Sequence, residues 1–325
     1  MESRQVDPNI AHGQQSSFAK ATADKSAIGT RKSAIWIGVD GSTDGTAEIA
    51  REFANGHDNI HVMEFKERRG KIAVLKDLVK RSSEEINHGL TRMRTDTKNE
   101  AILVFTDANT MFRPDTIEKL LSHFSDPAVG GVCGRLEFKE NAEYEIKNAE
   151  CGIPDTGWRP GTQNPEPGTR VQNSEGFYWR MENELKAMES RLDSCLGANG
   201  AVYAIRDELF WRDIPDNTIV DDFVIGMKVR EQGLKMVYDP AAVAEEEFPR
   251  MEDEWRRRVR IGAGDYQALM FCRNCLLPRY GEFALIFLSH KVLRWFTPHL
   301  ALLLVTGSLF LVATNGMFAG GLLPV

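Results

Sequence analysis

The 325-residue chain is short of several things that would mark an obvious function. Its seven histidines form no ligand cluster, since the pair in "HDNIH" sits at a turn entering a strand. Its five cysteines, Cys133, Cys151, Cys195, Cys272 and Cys275, are odd in number and scattered, which suits a reducing compartment and not a disulfide framework. The "CRNC" pair has metal or redox spacing, but no second pair completes a zinc site. Basic residues are in deficit, 40 against 47 acidic, and the net charge of -7 argues against a nucleic-acid partner. No G-x-G-x-x-G follows the first strand-like run, which argues against a dehydrogenase. The segment "RRGKIAVLK" is no P-loop, lacking both the earlier glycine and the Ser or Thr after its lysine. No serine or cysteine nucleophile is supported, no internal repeat is visible, and the polar first residues do not read as a signal peptide.

What is present describes a folded protein with a membrane end. Hydrophobic residues make up 42% and charged residues 27%, a globular composition. Residues 1–33 lack periodicity and are expected to be poorly ordered. Over residues 34–275, strand-like runs ("AIWIGV", "NIHVMEF", "AILVFTDA", "AVGGVCGRLEF") alternate with helical ones ("TAEIAREFA", "KIAVLKDLVKRS", "DTIEKLLSHF"). That alternation predicts an α/β domain with a mostly parallel sheet. The Pro- and Gly-rich stretch from Glu140 to Glu175 reads as a long loop. Residues 281–325 read as an interfacial helix followed by a transmembrane helix. The uncharged run from Leu300 to Phe318 is about long enough to cross a bilayer. Trp295 is expected at the headgroups, and Lys291 and Arg294 on the N-terminal side put the domain in the cytoplasm.

Parallel α/β sheets bind ligands at the carboxyl ends of their strands. Asp40 ends the first strand-like run, Asp107 ends the third, and Asp221 and Asp222 open a helix after a loop. Each alone reads as a turn or a cap; together they fall on connections that a doubly wound sheet brings to one edge. If the ligand is a nucleotide diphosphate-sugar, "TDANT" offers hard oxygens from Asp107 and Asn109 to a divalent cation. Arg257 and Arg260 lie three apart on one helix and could clamp phosphate, with Lys71 adding charge. A sugar transfer also needs a base, for which Asp222 is the candidate, with Asp221 beside it as a modulating charge or cap.

This ordered series of motifs resembles family 2 glycosyltransferases of the GT-A group, which includes cellulose, chitin and hyaluronan synthases. The resemblance implies a Rossmann-like GT-A domain. In "VDGSTDGT" it implies a donor turn of Asp40, Gly41 and Ser42, with Asp40 at the uracil end. It places Gly70 and Lys71 beside the donor. Asp107 matches the first acid of the family's Asp-x-Asp metal motif, implying Mg2+ or Mn2+ on Asp107 and Asn109. "GANGAVYAIR", with Gly197, Asn199 and Gly200, resembles the acceptor side, and "VDDF" the Thr-Glu-Asp motif whose last acid, here Asp222, is the base. "RRRVRIGAG" sits where processive synthases carry Gln-x-x-Arg-Trp. The chain departs from the pattern at Asn109 for the second acid, Arg257 for Gln and Ile261 for Trp. Residues 1–34 also hold no Pro-x-Tyr-Asn-Glu-like segment. The expectation is an inverting, metal-dependent transferase on the cytoplasmic face of a bacterial inner or plasma membrane. It would move a sugar from a UDP-sugar to a saccharide acceptor in envelope or extracellular polysaccharide synthesis. The alternatives are transfer of one sugar to a polyprenyl phosphate (a lipid-linked acceptor) and a non-catalytic nucleotide-sugar-binding partner in such a complex.

Overall fold

The computed structural model describes residues 33–90, 101–139, 167–247 and 251–320. The expected poorly ordered segment, residue 33 apart, and residues 140–166 of the expected loop lie outside them. Strand β1 (Ile35–Asp40) is followed by α1 (Thr46–Ala54), β2 (Ile60–Phe65) and α2 (Lys71–Leu90). Next come β3 (Ile102–Phe105), the two-residue β4 (Met111–Phe112), α3 (Thr116–Ser122) and β5 (Val129–Lys139). Helix α4 (Pro167–Leu192) leads to β6 (Tyr203–Arg206), α5 (Asp221–Glu231), β7 (Lys235–Glu247) and α6 (Met251–Cys272). The chain ends in α7 (Glu282–Ile286), a π-helical stretch (Phe287–Val292) and α8 (Leu293–Gly320).

The α/β alternation is present, but the sheet is mixed and comes in two pieces. β1 and β2 pair in parallel, with Trp36 stacked on its cross-strand partner His61. The larger sheet runs β3-β6-β5-β7-β4, and only its β5–β7 pairing is parallel. Apolar alternation reports that a strand is half buried and says nothing of its direction, so β6 between β3 and β5 reads the same either way. Residues alternate across this sheet. Val132, Leu136, Ala204 and Ala244 face a core with Leu120 and Phe124 of the α3 region. Cys133, Tyr203, Ile205 and Met236 face the other, against Val224 and Ile225 of α5.

Two expectations need correction. The region expected to be loop up to Glu175 is already helical from Pro167, because proline's fixed φ suits the first position of a helix as well as it suits a loop. The segment from Gly281 onward does not leave the domain. Phe283 and Phe287 are fully buried in its core, and Trp295 packs edge-on to both Phe223 and Phe287 instead of lying at headgroups. Lys291 is buried against Glu182 (3.2 Å), and Arg294 pairs with the same carboxylate, so neither is a free flanking charge. What does stand clear is the remainder of α8. Leu300, Leu302, Leu303, Leu304, Val305, Leu309, Phe310, Leu311 and Val312 are all exposed. The helical run Glu282–Val312 contains an 18-residue window of mean hydropathy 1.7 and is long and apolar enough to cross a membrane. From Leu300 to Gly320 at about 1.5 Å per residue, α8 extends roughly 30 Å, the thickness of a bilayer's hydrocarbon core.

Candidate active site

The turn after β1 divides into two halves with different tasks. Asp40 reaches forward: its carboxylate accepts the backbone N–H of Arg69 (2.6 Å) and of Gly70 (2.8 Å). It thereby fixes the loop that opens α2 and the position of Lys71. Gly41 follows with φ +63, and a Cβ there would lie 2.6 Å from the Arg68 backbone nitrogen, so only glycine fits. The second half is local. Asp44 Oδ1 accepts the Ser42 hydroxyl (2.9 Å), the Thr46 hydroxyl (2.5 Å) and the Thr46 N–H (3.1 Å). Those bonds, that of the Thr46 side chain foremost, hold the Asp44 carboxyl down at about 2. A cavity of about 250 Å3 opens here, lined in part by Ser42, Thr43, Phe65 and Lys66.

Lys71, at the first position of α2, is where three acids meet. Its ammonium lies 2.9 Å from Asp107 Oδ1 and 3.5 Å from Asp221 Oδ2. Burial alone would lower its pKa, but the charges of Asp221, Asp107 and Asp222 raise it instead. Asp107 follows β3 and accepts a turn from the Thr110 N–H at its own carbonyl (3.2 Å). Asp221 is almost wholly buried at the start of α5, and burial, then the Asp222 charge, pushes its carboxyl up to about 6. Asp222 Oδ2 accepts the Gly200 N–H at 2.7 Å, and Oδ1 accepts the Phe223 N–H at 2.8 Å. Gly200 marks the centre: a Cβ on it would stand 3.3 Å from Asp222 Oδ2 and 3.4 Å from Asp107 Oδ2. Two carboxylates from residues 115 apart in sequence thus face a single point.

The loop 195–200 is held from several sides. Gly197 (φ +72) abuts Phe223, Ala198 N–H reaches the Asp222 carbonyl (3.3 Å), and Gly226 of α5 comes so close that a Cβ would lie 2.6 Å from the Gly197 carbonyl carbon. Asn199 turns back on its own loop, its amide oxygen accepting the Ala201 N–H (3.3 Å). Helix α6 is anchored by Gln267, which bonds Ile219 N–H (3.0 Å) and the Asn217 carbonyl (3.1 Å), and by Gly264 against Ile219 and Val220. Arg260 and Arg257 lie one and two turns before Gly264 on the same face of the helix. Arg257 is half-buried; Arg260 is exposed and makes no ion pair among the described residues.

The structure therefore gathers Asp40 (through Gly70), Lys71, Asp107, Gly200, Asp221 and Asp222 in one place. It leaves Arg260 open, and it turns Ser42 and Asn199 to local turn bonds. Sequence reasoning missed Asp265 of α6, whose carboxyl burial pushes up to about 6 within the field of Asp222. It also missed Glu189, which accepts the Leu196 N–H (2.9 Å). Each sits in a helix that reads as polar, so neither burial carried a sequence signal.

As to a metal, the described residues hold no group of three or more His, Cys, Asp or Glu side chains set to bind one. Asp107 Oδ2 nonetheless faces the Gly200 point with no hydrogen bond of its own, and Asn109 is exposed in the same turn. A single hard carboxylate oxygen of this kind suits a divalent ion whose remaining ligands come with a bound diphosphate.

An α/β domain with acids gathered at strand ends around the N-terminus of a helix has the architecture of a GT-A transferase. Residues 26–182, just under half of the chain, match the family model for glycosyl transferase family 2. The match spans Asp40, Lys71 and Asp107 and stops before the 195–200 loop and Asp222. No curated protein matches the chain. Among solved structures it is similar to a mannosyltransferase from Pyrobaculum calidifontis in complex with GDP-Man and Mn2+. The TM-score is 0.52 and the identity 19%, over 96% of this chain and 77% of that one, a likeness of fold. At a TM-score of 0.43 and 13% identity stand GalNAc-T7 with UDP, GalNAc and Mn2+ (84% of this chain, 51% of that one) and S. aureus TarS 1–349 (88% and 71%).

Proposed function

We propose that the chain transfers a sugar from a nucleotide-sugar to an acceptor hydroxyl or phosphate with inversion at the anomeric carbon. The observation that carries this reading is the convergence of Asp107 and Asp222 on the Gly200 point. The donor lies along β1 and the start of α2, its base toward Asp40 and its diphosphate toward Lys71 and Asp107. The Lys71 ammonium balances phosphate charge, and Arg260, open on α6, adds to it with Arg257. Asp107 and Asn109 would hold a Mg2+ or Mn2+ ion together with the donor, and that ion would supply charge neutralisation for the departing diphosphate.

Asp222, oriented by the Gly200 and Phe223 N–H groups, accepts the acceptor's proton as its oxygen forms the new bond to the anomeric carbon. The bond to the diphosphate oxygen breaks on the opposite face, which inverts the centre. Asp221, buried and paired with Lys71, holds that lysine at the site. A nucleoside diphosphate of either uridine or guanosine offers ring N–H donors to a carboxylate at Asp40, so the donor class is read as UDP- or GDP-sugar.

The exposed apolar α8 favours a membrane-bound enzyme in the synthesis of an envelope or extracellular polysaccharide. A second reading, one sugar moved to a polyprenyl phosphate, is favoured by the same helix, because it sets the site beside the lipid. Membranes containing the protein are supplied with radiolabelled UDP- and GDP-sugars, and the product is separated into lipid-extractable and polymeric fractions. Replacing Asp222 with Asn is expected to lower turnover by about 10²–10⁴-fold while donor affinity changes less than about threefold. Full turnover in that variant refutes the base assignment.

A further inference from the structure

Loop 195–200 positions Asp222 through the Gly200 N–H, and the anchor at the loop's other end is itself held from far away in sequence. Glu189 of α4 is 4% exposed, and its Oε2 accepts the Leu196 N–H at 2.9 Å. Its other oxygen, Oε1, is bonded by His290 Nδ1 from the π-helical stretch below α8. Two turns earlier on the same face of α4, buried Glu182 takes Lys291 (3.2 Å) and Arg294, with His290 Nε2 at 3.8 Å. Burial alone would raise the Glu182 carboxyl, but His290, Lys291 and Arg294 hold it well below its ordinary range. Three side chains within little more than one turn at the base of the apolar helix thus grip two carboxylates of α4, and one of those carboxylates holds the loop.

We propose that Glu189 is a positioning residue for the Asp222 carboxylate, and that His290 holds Glu189 in place for that task. The inference rests on the reading of Asp222 as the base. A carboxylate bonded to both a backbone N–H and an imidazole has one orientation left, so the Leu196 N–H has a fixed acceptor. Cys195 N–H is also fixed, on the Met236 carbonyl (2.8 Å), and between residues 196 and 200 the chain has little slack. A loop tethered at Leu196 delivers the Gly200 N–H to Asp222 Oδ2 in the same place each time. Released there, it delivers that N–H over a range of positions, and a displacement of about 1 Å in a catalytic group costs on the order of 10²-fold. Because His290 belongs to the element that carries α8, seating of that helix and readiness of the base share one set of bonds.

The test uses the whole protein in lipid nanodiscs with Glu189→Gln, Glu189→Ala, His290→Asn and His290→Ala. Glutamine keeps an oxygen for Leu196 and is the conservative rescue. Hydrogen exchange at amides 196–200 is expected to be slow in the parent and in Glu189→Gln. It should quicken by about tenfold or more in Glu189→Ala and by less in His290→Ala. In sugar transfer, Glu189→Ala should lower kcat by about 10–100-fold with donor KM within about threefold, and Glu189→Gln should restore most of it. Unchanged exchange at 196–200 in a folded Glu189→Ala protein overturns the proposal. So does loss of KM with kcat intact. If Glu189→Ala does not fold, the His290 pair carries the same two readouts, and parental exchange and kcat in folded His290→Ala overturn it. If the parent itself transfers no sugar while the exchange pattern holds, the functional reading fails and the tether stands.

Discussion

The proposed donor side and the proposed acceptor side of this site are built in opposite ways. On the donor side Asp40 reaches about 30 residues forward to two backbone N–H groups, Asp44 bonds residues two away, and most of the side chains are exposed. On the acceptor side Asp221 is buried, the 195–200 loop is pressed between α5 and β7, and its tether, Glu189, is bonded by His290 across 101 residues. A solvent-facing turn can admit a large charged ligand. A base that must meet one oxygen at one angle is better served by a rigid wall. Short-range chemistry makes the first and the tertiary fold makes the second.

That contrast is tested most severely at Asp40. Asp40→Ala removes a charged acceptor from two N–H groups, each bond worth about 1.5–3 kcal/mol. The loop ahead of Lys71 should loosen, raising donor KM by about 10–100-fold while kcat at saturating donor falls by less than about fivefold. Steady-state kinetics over a range of donor concentrations reads both. A matching loss in kcat would mean that the donor turn also governs the chemistry, and the division would collapse.

A pair of glycines sharpens it further. Gly226→Ala puts a Cβ 2.6 Å from the Gly197 carbonyl carbon, backbone against backbone, and is expected to cost about 1–3 kcal/mol together with turnover. Gly45→Ala on the donor side meets nothing within 4 Å, and its cost is confined to φ +84, about 1 kcal/mol. Urea denaturation of the two variants should rank them in that order.

How much of this could be read in advance follows the same division. The donor turn, Lys71 and Asp107 announce themselves because glycine, aspartate and lysine at strand ends leave a local pattern. The identity of Asp222 as an acid at the site was legible from its place at the start of α5. That Asp221 and not Asp222 is the buried one was not, since neighbouring acids at a helix start look alike and only packing separates them. Trp295, Lys291 and Arg294 misled for a related reason. A Trp among basic residues beside an apolar helix suits a headgroup layer, and the buried Glu182 that claims both cations here sits 109 residues before Lys291, in a helix that reads as polar. The direction of β6 was equally silent, because an apolar strand pattern reads the same whichever way the strand runs.

Asp221 gives a smaller, pH-dependent contrast. Its folded carboxyl sits at about 6, above the ordinary 3.8, so the folded state binds the proton more tightly than the unfolded chain does. Its burial therefore weighs against folding above about pH 6, and that penalty fades as pH falls from 6 toward 4. Asp221→Asn lacks the titration. It should be more stable than the parent at pH 8 by about 1–2 kcal/mol, the loss of a partner for Lys71 offsetting part of the gain, and the gap should close near pH 4. Parallel urea midpoints at pH 8 and pH 5 check the sign.

The smallest effect should come from Asp44, although it belongs to the most conspicuous motif in the chain. All three of its hydrogen bonds go to Ser42 and Thr46 inside one exposed turn, and none reaches Lys71, Asp107 or the 195–200 loop. Its carboxyl is held at about 2, so it stays ionised throughout the working range and titrates nothing relevant to catalysis. Asp44→Ala should therefore shift the melting temperature by no more than about 2 °C and leave both kcat and donor KM within about twofold. A large rise in donor KM in that variant would show the ligand reaching past Asp40 into the second half of the turn. The donor subsite would then extend along the 250 Å3 cavity beside Ser42 and Thr43.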